Sequence, residues 1–217
     1  MSVVELDHLV VAASTLEDGV RWCEQTFGVT PGPGGKHLLM GTHNRLLPLG
    51  GACPQAYLEI IAIDPEASAP THPRWFGLDE RDPAAPPSLV HWVARCDDLD
   101  ARCATLAALG LDPGTPTAAT RPTPHGVLAW TISVRADGRP QCRGALPTLI
   151  AWRGEHPTLR MGEPVLSIER VEVGGLPPAA AALLVAPGVH HRGAAGLRAT
   201  LRGPRAAGFG SVTLETR

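Results

Sequence analysis

Ionisable side chains lie in the middle of strand-like apolar runs at three places in this chain. His8 lies within VVELDHLVVA, His91 within SLVHWVA and Glu59 within AYLEIIA. An imidazole or a carboxylate on a half-buried strand costs free energy unless another group pairs with it. Two histidines and a carboxylate are also a ligand set that suits a divalent metal ion with open coordination positions. The residues alone leave two readings open: a shared metal site, or separate pairing of each group with backbone or arginine.

Other polar side chains stand next to glycines, where the backbone can approach a ligand closely. His37 follows Gly34-Gly35 and is predicted as an acid–base or substrate contact at a cleft mouth, with a solvent-facing strand histidine as the alternative. Thr42 and Asn44 offer a hydroxyl and an amide to a substrate, unless Asn44 only stabilises a turn. Two aromatic residues are predicted as apolar cleft walls, with a core position as the alternative: Trp130 and Trp152.

The pattern around His8 predicts a strand, a helix and three further strands. Alternation along the first strand puts Val4, Leu6, His8 and Val10 on one face. The spacing of apolar residues predicts a helix over Leu16–Phe27, which Gly28 ends. The three strand-like runs that follow cover residues 36–40, 44–49 and 56–62.

The same order of elements then recurs along the chain. A strand at 89–94 and a helix closed by Gly110 precede strand-like runs near 113–119, 126–134 and 145–152, and a weaker third copy starts at 165. Repeated units leave sheet faces that their neighbours can cover. The prediction is therefore an α+β fold of paired β-α-β-β-β modules curling around a cleft, with a third such module at the C-terminal end.

These units predict a domain over residues 1–155, made of modules at about 1–65 and 86–155, with the third module at 160–217 packed on it. Between the first two modules, His72–Leu78 is predicted as a short helix or a docked loop. An odd module leaves a sheet face or edge uncovered. Homodimerisation is expected as a way to bury it.

Composition excludes several classes of protein. The 217 residues are 44% hydrophobic and 18% charged with a net charge of −2, so no basic cluster is available for nucleic acid. The five cysteines form no C-x-x-C pair, which indicates a reducing compartment rather than a disulfide framework. No leader pattern and no apolar run of ~20 residues is present, so a cytoplasmic protein without a membrane segment is expected. Abundant Ala, Gly, Pro and Arg, with Lys36 as the only lysine, favour a bacterial origin.

Short motifs are spread over essentially the whole chain. They read LDHLV at 6–10, GGKH at 34–37, GTHNRL at 41–46, YLEII at 57–61, and GALP at 144–147 leading into IAW at 150–152. Together they resemble the glyoxalase-like domain family of the vicinal oxygen chelate superfamily, which includes glyoxalase I, extradiol dioxygenases, epimerases and fosfomycin-resistance proteins. The resemblance implies modules that pair to enclose a divalent metal.

The same resemblance implies which residues bind that metal. The superfamily's ligand positions fall on His8, Glu59 and His91, and the fourth falls on Ala151, which has no ligating atom. This set resembles that of extradiol dioxygenases more than the four-ligand set of glyoxalase I. It does not distinguish Zn, Ni, Mn, Fe and Mg.

Two functions follow as predictions. The first is a metal-assisted lyase, isomerase or dioxygenase acting on a small oxygenated substrate, with His37 as the proton-transfer group and Glu59 in the catalytic centre. The second is a non-catalytic protein of the same fold that binds or sequesters a small molecule. The missing ligand at Ala151 and the apolar Trp130 and Trp152 favour this alternative.

Overall fold

One continuous mixed sheet of twelve strands organises the chain in the computed structural model, which describes residues 3–124, 126–205 and 208–216. The first module consists of β1 (Glu5–Ala12), α1 (Leu16–Phe27), β2 (Lys36–His37), β3 (Thr42–Gly51) and β4 (Ala56–Ile63). The second consists of β5 (Ser88–Arg95), α2 (Leu99–Ala108), β6 (Thr115–Thr123), β7 (Gly126–Val134) and β8 (Thr148–Arg153). The third consists of β9 (Leu166–Gly174), α3 (Pro178–Leu183), β10 (Val189–Arg192), β11 (Gly196–Arg205) and β12 (Gly208–Glu215). The predicted fold class, with its three β-α-β-β-β units, is confirmed.

The strands run in the order β12-β11-β9-β3-β4-β1-β5-β8-β7-β6, with β2 and β10 beside this path. The first two modules join edge to edge, because β1 pairs antiparallel with β5. The third module joins the same sheet through β9, which pairs in parallel with Leu49–Gly51 of β3. Since β2 covers only the start of β3, the rest of that edge is open to β9. The domain boundaries stay a prediction, because one sheet runs through all three modules.

Alternate residues along the strands supply two separate apolar clusters. Leu58 and Ile60 of β4 face the helices and the third module, whereas Ile61 faces the cleft between the first two modules. Because side chains of a strand alternate, each strand contributes to both faces of the sheet. The cleft face therefore carries the candidate site, and the opposite face carries the larger core.

A bulge in β1 changes which residues face the cleft. Leu6 pairs with Ala94 and His8 with Val93, so the pairing of β1 with β5 skips Asp7. Val4 and Leu6 consequently pack in the core on the helix side, whereas His8 lines the cleft. The prediction that Val4, Leu6, His8 and Val10 share one face is wrong, because one extra residue reverses the alternation and leaves only His8 and Val10 on the cleft side.

The segment between the first two modules enters the cleft. A kinked 3-10 helix spans Trp75–Glu80, and Phe76 has a φ of 60° at the kink. Trp75 and Phe76 are buried in the cleft-side apolar cluster. Two further 3-10 helices span Cys142–Gly144 and Pro157–Arg160. In the described part of the chain, every helix is too short or too polar to cross a bilayer.

Candidate active site

His8 and Glu59 lie side by side on the floor of the cleft. They belong to neighbouring parallel strands, in which His8 pairs with Tyr57 and Val10 with Glu59. The Nε2 atom of His8 is 3.5 Å from Oε2 of Glu59, and both side chains are buried. The Tyr57 ring stacks on the His8 ring with centroids 4.6 Å apart, an arrangement that favours a cationic imidazole.

Asp7 supports His8 from the opposite side of the imidazole ring. Its Oδ1 accepts a hydrogen bond from His8 Nδ1 at 2.6 Å, and its Oδ2 accepts from Trp152 Nε1 at 2.8 Å and His156 Nε2 at 3.0 Å. Burial alone would raise the pKa of Asp7, but the hydrogen bonds from His156 and His8 hold it well below its usual range.

His8 is cationic at neutral pH in this setting. Burial lowers its pKa, but the hydrogen bonds and charges of Asp7 and Glu59 outweigh burial and raise the pKa to about 9. A protonated imidazole between two carboxylates has no lone pair to offer and can only donate hydrogen bonds. His8 is therefore a fixed positive charge that points its Nε2–H at the cleft.

Glu59 is held by an amide from the neighbouring strand. Asn44 of β3 donates from Nδ2 to Glu59 Oε1 at 2.6 Å, while its Oδ1 accepts from the backbone N–H of Gly35 at 2.8 Å. Burial raises the pKa of Glu59, but the hydrogen bond and charge of His8, with smaller contributions from His37 and Asn44, lower it overall. Glu59 is thus an ionised carboxylate buried at the cleft floor.

His37 completes the polar cluster as a neutral imidazole. Burial lowers its pKa to about 4. Its Nε2 lies 3.3 Å from Asn44 Nδ2 and its Nδ1 lies 3.0 Å from Thr42 Oγ1. Because Asn44 must donate to the carboxylate, this amide also donates to His37 Nε2, and Nδ1–H donates to Thr42. Thr42 and Asn44, the predicted substrate contacts, thus orient His37 and Glu59 in this structure.

The glycine pair before His37 allows two close approaches. A Cβ atom on Gly34 would overlap the carbonyl oxygen and Oδ1 of Asn44. A Cβ atom on Gly35 would lie 2.7 Å from Cδ of Arg121, which reaches in from β6 of the second module. The pair therefore lets the loop pass against both side chains, consistent with the predicted close approach.

His91 lies apart from this cluster. Its Nε2 accepts from the backbone N–H of Thr148 at 2.9 Å, so its ring proton is on Nδ1. Burial, and secondarily the charge of His8, lower its pKa to about 3. Trp75 and Phe76 line both the pocket of His8 and the neighbouring pocket of His91, and so form the wall between them.

The predicted metal ligands do not fit a common ion in this arrangement. His8 and Glu59 are adjacent, but the Nε2 lone pair of His91 accepts from the backbone N–H of Thr148, and His91 lines the neighbouring pocket. Within residues 3–124, 126–205 and 208–216, no group of three or more His, Cys, Asp and Glu side chains has the geometry to hold a metal. The assignment of His8, Glu59 and His91 to a metal stays a prediction, which these contacts do not favour.

Aromatic rings close one side of the site. Trp130 and Trp152 lie on the paired strands β7 and β8, with ring centroids 5.4 Å apart, and line the same pocket as His8 and Glu59. Trp152 also donates to Asp7, so its ring is both a wall and a hydrogen-bond donor. Both rings thus lie beside the polar cluster, and their role as substrate contacts stays a prediction.

Four residues of this site are absent from the predicted set, although two of them have a recognisable signal in the sequence. Asp7 carries the same signal as Glu59, a carboxylate inside an apolar strand, and Tyr57 shares a strand face with Glu59. Arg121 and His156 give no such signal, because they come from a distant strand edge and a loop. Only the folded chain brings them beside His8.

Comparison with known proteins extends these observations. The profile of a family described as "Glyoxalase-like domain" matches residues 6–187. A hypothetical protein from Staphylococcus aureus is similar in structure at 17% identity, with a TM-score of 0.57 over 79% of this chain and 70% of that one. A single-residue variant of Streptomyces coelicolor methylmalonyl-CoA epimerase, in complex with 2-nitronate-propionyl-CoA, has 18% identity and a TM-score of 0.46 over 70% of this chain and 100% of that one.

Two further comparisons gave a weaker similarity or none. The methylmalonyl-CoA epimerase from Mycobacterium tuberculosis has 17% identity and a TM-score of 0.41, over 72% of this chain and 92% of that one. No curated protein matches the sequence significantly. The likeness to solved structures shows the fold, and the profile match covers most of the sequence. The chain belongs to the glyoxalase-like domain family of the vicinal oxygen chelate superfamily.

Proposed function

We propose that the chain is an acid–base enzyme of the isomerase or lyase type that moves a proton at a carbon next to a carbonyl group. The observation that carries this proposal is the opposition of Glu59, an ionised carboxylate, to His8, a protonated imidazole, at 3.5 Å in one buried pocket. Two titratable groups whose environments separate their protonation states suit paired base and electrophile roles.

The proposed step uses both groups on the same substrate. Glu59 takes the proton from the carbon, so the C–H bond breaks and its electron pair forms the C=C bond of an enolate. The carbonyl π pair moves to the oxygen, where the developing charge receives a hydrogen bond from His8 Nε2–H. Return of the proton from Glu59 to carbon, on the same or the opposite face, completes an exchange or an isomerisation.

Asp7 and Asn44 are positioning residues in this proposal. Asp7 holds the imidazole proton on His8, and Asn44 holds one oxygen of Glu59, leaving the other oxygen on the side of His8. His37, the predicted proton-transfer group, is neutral with both ring nitrogens hydrogen-bonded, which supports an orienting role more than proton transfer. In this step the positive charge at the carbonyl oxygen comes from His8.

Proton exchange in heavy water tests this proposal. The purified chain is incubated in D₂O with 2-oxobutanoate or 2-oxooctanoate, and loss of the C3–H signal is followed by ¹H NMR with and without EDTA. Wild type is expected to speed the exchange in both conditions, and Glu59→Gln is expected to lower the rate by about a hundredfold or more. Exchange no faster than in protein-free buffer, or lost with EDTA and restored by a divalent ion, would contradict it.

The alternative, a protein that binds a small molecule without chemistry, is supported by the paired Trp130 and Trp152 rings on the pocket wall. In that case thermal shifts with the same 2-oxo acids would appear without any isotope exchange. The exchange rate would then be the same in Glu59→Gln as in wild type. The two functions are thus separated by one pair of measurements on the same samples.

A further inference from the structure

A long groove opens onto the pocket of His8 and Glu59. The pocket itself has about 30 Å³ of free space, which accepts only a small reacting group. The groove has about 560 Å³ and shares Leu46, Arg121 and Pro157 with the pocket. A molecule that is larger than the pocket and has its reacting end at Glu59 therefore extends past Arg121 into the groove.

The groove has an apolar lining with a positive charge at its inner end. Its apolar lining residues are Leu46, Pro48, Val127, Leu128, Pro157 and Met161, and its lining also includes the polar Thr123, Glu155 and His156. The side chain of Val127 is 68% exposed, so its apolar surface is accessible to a ligand in the groove. Of the outer arginines, Arg160 is paired with Glu155 at 3.0 Å and Arg153 is exposed.

Arg121 stands where the groove meets the pocket, without a matching negative charge. One guanidinium nitrogen lies 3.4 Å from Asn44 Oδ1, and the buried Nε has no hydrogen-bond partner among the residues that the structure describes. In the same part of the chain, no carboxylate lies within ion-pair distance of Arg121. A buried guanidinium donor without a partner is costly and suits a planar anion, which it can bind with two parallel hydrogen bonds.

A single amide side chain, that of Asn44, separates Arg121 from Glu59. Asn44 lies between them, because its Oδ1 faces Arg121 and its Nδ2 donates to Glu59 at 2.6 Å. An anion bound by Arg121 thus lies within a few atoms of the Glu59 carboxylate. We infer that the substrate is a carboxylate whose anionic group pairs with Arg121 and whose apolar chain lies in the groove. This inference rests on the proposed function.

Binding of simple probes tests this inference without any chemistry. Octanoate, 1-octanol and acetate are titrated against the tryptophan fluorescence of the chain, since Trp130 and Trp152 line the pocket that adjoins the groove at Arg121. Octanoate is expected to bind at least about tenfold more tightly than 1-octanol, which lacks the charge, and than acetate, which lacks the chain. Equal binding of octanoate and 1-octanol by wild type would overturn the inference, and this comparison needs no variant.

Variants identify the residue responsible. Arg121→Gln is expected to weaken octanoate binding about tenfold or more, Arg121→Lys less, and the control Arg202→Gln, an exposed arginine of β11, not at all. Unchanged octanoate binding in a folded Arg121→Gln protein would reject the role of Arg121.

The two proposals fail in different ways. Glu59→Gln is expected to keep octanoate binding while it abolishes isotope exchange. Octanoate binding that depends on Arg121 in a wild-type protein without exchange activity would reject the proposed function and leave the groove assignment in place. Isotope exchange that does not depend on Arg121, in a protein that binds octanoate no more tightly than 1-octanol, would reject the groove assignment and leave the proposed function in place.

Discussion

Asp7 and His8 are consecutive residues of one strand, yet their side chains meet, with Oδ1 of Asp7 2.6 Å from Nδ1 of His8. In a regular strand these side chains would point to opposite faces. The pairing of β1 with β5 skips Asp7, and this bulge turns the carboxylate towards the imidazole. A dipeptide thus supplies both the cation of the site and the group that keeps it charged.

The first prediction concerns the charge of His8. In Asp7→Asn the imidazole loses a carboxylate partner, so its pKa is expected to fall from about 9 towards its ordinary value of 6.5. Titration of the His8 ring by ¹⁵N NMR measures this change. Asp97→Asn, an exposed aspartate in the turn after β5, is the control and should leave the His8 pKa where it is. An unchanged His8 titration in Asp7→Asn would refute the role of Asp7.

The second prediction is the alkaline loss of stability. The pKa of His8 is about 9 in the folded chain and 6.5 in the unfolded chain, so between these values the folded state binds more protons. The free energy of unfolding that His8 contributes is therefore fully present below pH 6.5 and is lost as the pH rises through about 9. Urea unfolding at several pH values measures it. His8→Gln should reduce the slope over this window, and an equal slope in both proteins would contradict the prediction.

The third prediction concerns the glycine before the Asn44 contact. Gly34→Ala is expected to lower the free energy of unfolding by about 1–3 kcal/mol, because the added methyl group overlaps the backbone and side chain of Asn44. Gly193→Ala is a matched control, since an added Cβ atom there has no neighbour within 4 Å among the described residues. Thermal melts and the isotope-exchange rate measure both proteins. A Gly34→Ala variant as stable as Gly193→Ala would show that the loop can move away from Asn44.

The fourth prediction separates His91 from the reacting groups. His91→Ala leaves the backbone N–H of Thr148 without its acceptor, which is expected to cost about 1–3 kcal/mol of stability. Isotope exchange should stay within about twofold of wild type, since the hydrogen bonds of His91 within the described chain go to Thr148 rather than to His8 or Glu59. His72→Ala, an exposed histidine, controls for loss of an imidazole. If His91→Ala lost isotope exchange, and if a divalent ion increased exchange in wild type but not in this variant, His91 would be reassigned to a metal site.

The modular fold could be predicted from local patterns, because each unit has its own strands and helix, and Gly28 and Gly110 follow the first two helices. The helix predicted over Leu16–Phe27 has those bounds, and Thr15 caps it by accepting from Asp18 N–H at 3.1 Å. The second strand is shorter than the sequence predicts. It covers only Lys36–His37, because residues 38–41 form a turn before β3.

The site could be predicted only in part. His8 and Glu59 are identified by the cost of burying them in apolar strands, and their proximity follows from the pairing of β1 with β4. The ring of His91 contacts Phe76, which comes from an irregular segment that has no periodic signal. Arg121 reaches Asn44 from β6 of the other module, although the two residues are 77 positions apart in the chain. Such long-range packing has no counterpart in short sequence patterns.

The wall formed by Trp75 and Phe76 has a consequence for the symmetry of the molecule. Two copies of one module would present two equivalent histidines, at His8 and His91, to a shared centre. Trp75 and Phe76 line both pockets, so that His91 hydrogen-bonds to Thr148 in one of them while His8 lies beside Glu59 in the other. One repeated pattern thus places two equivalent histidines in unequal surroundings, and the first two modules are not interchangeable.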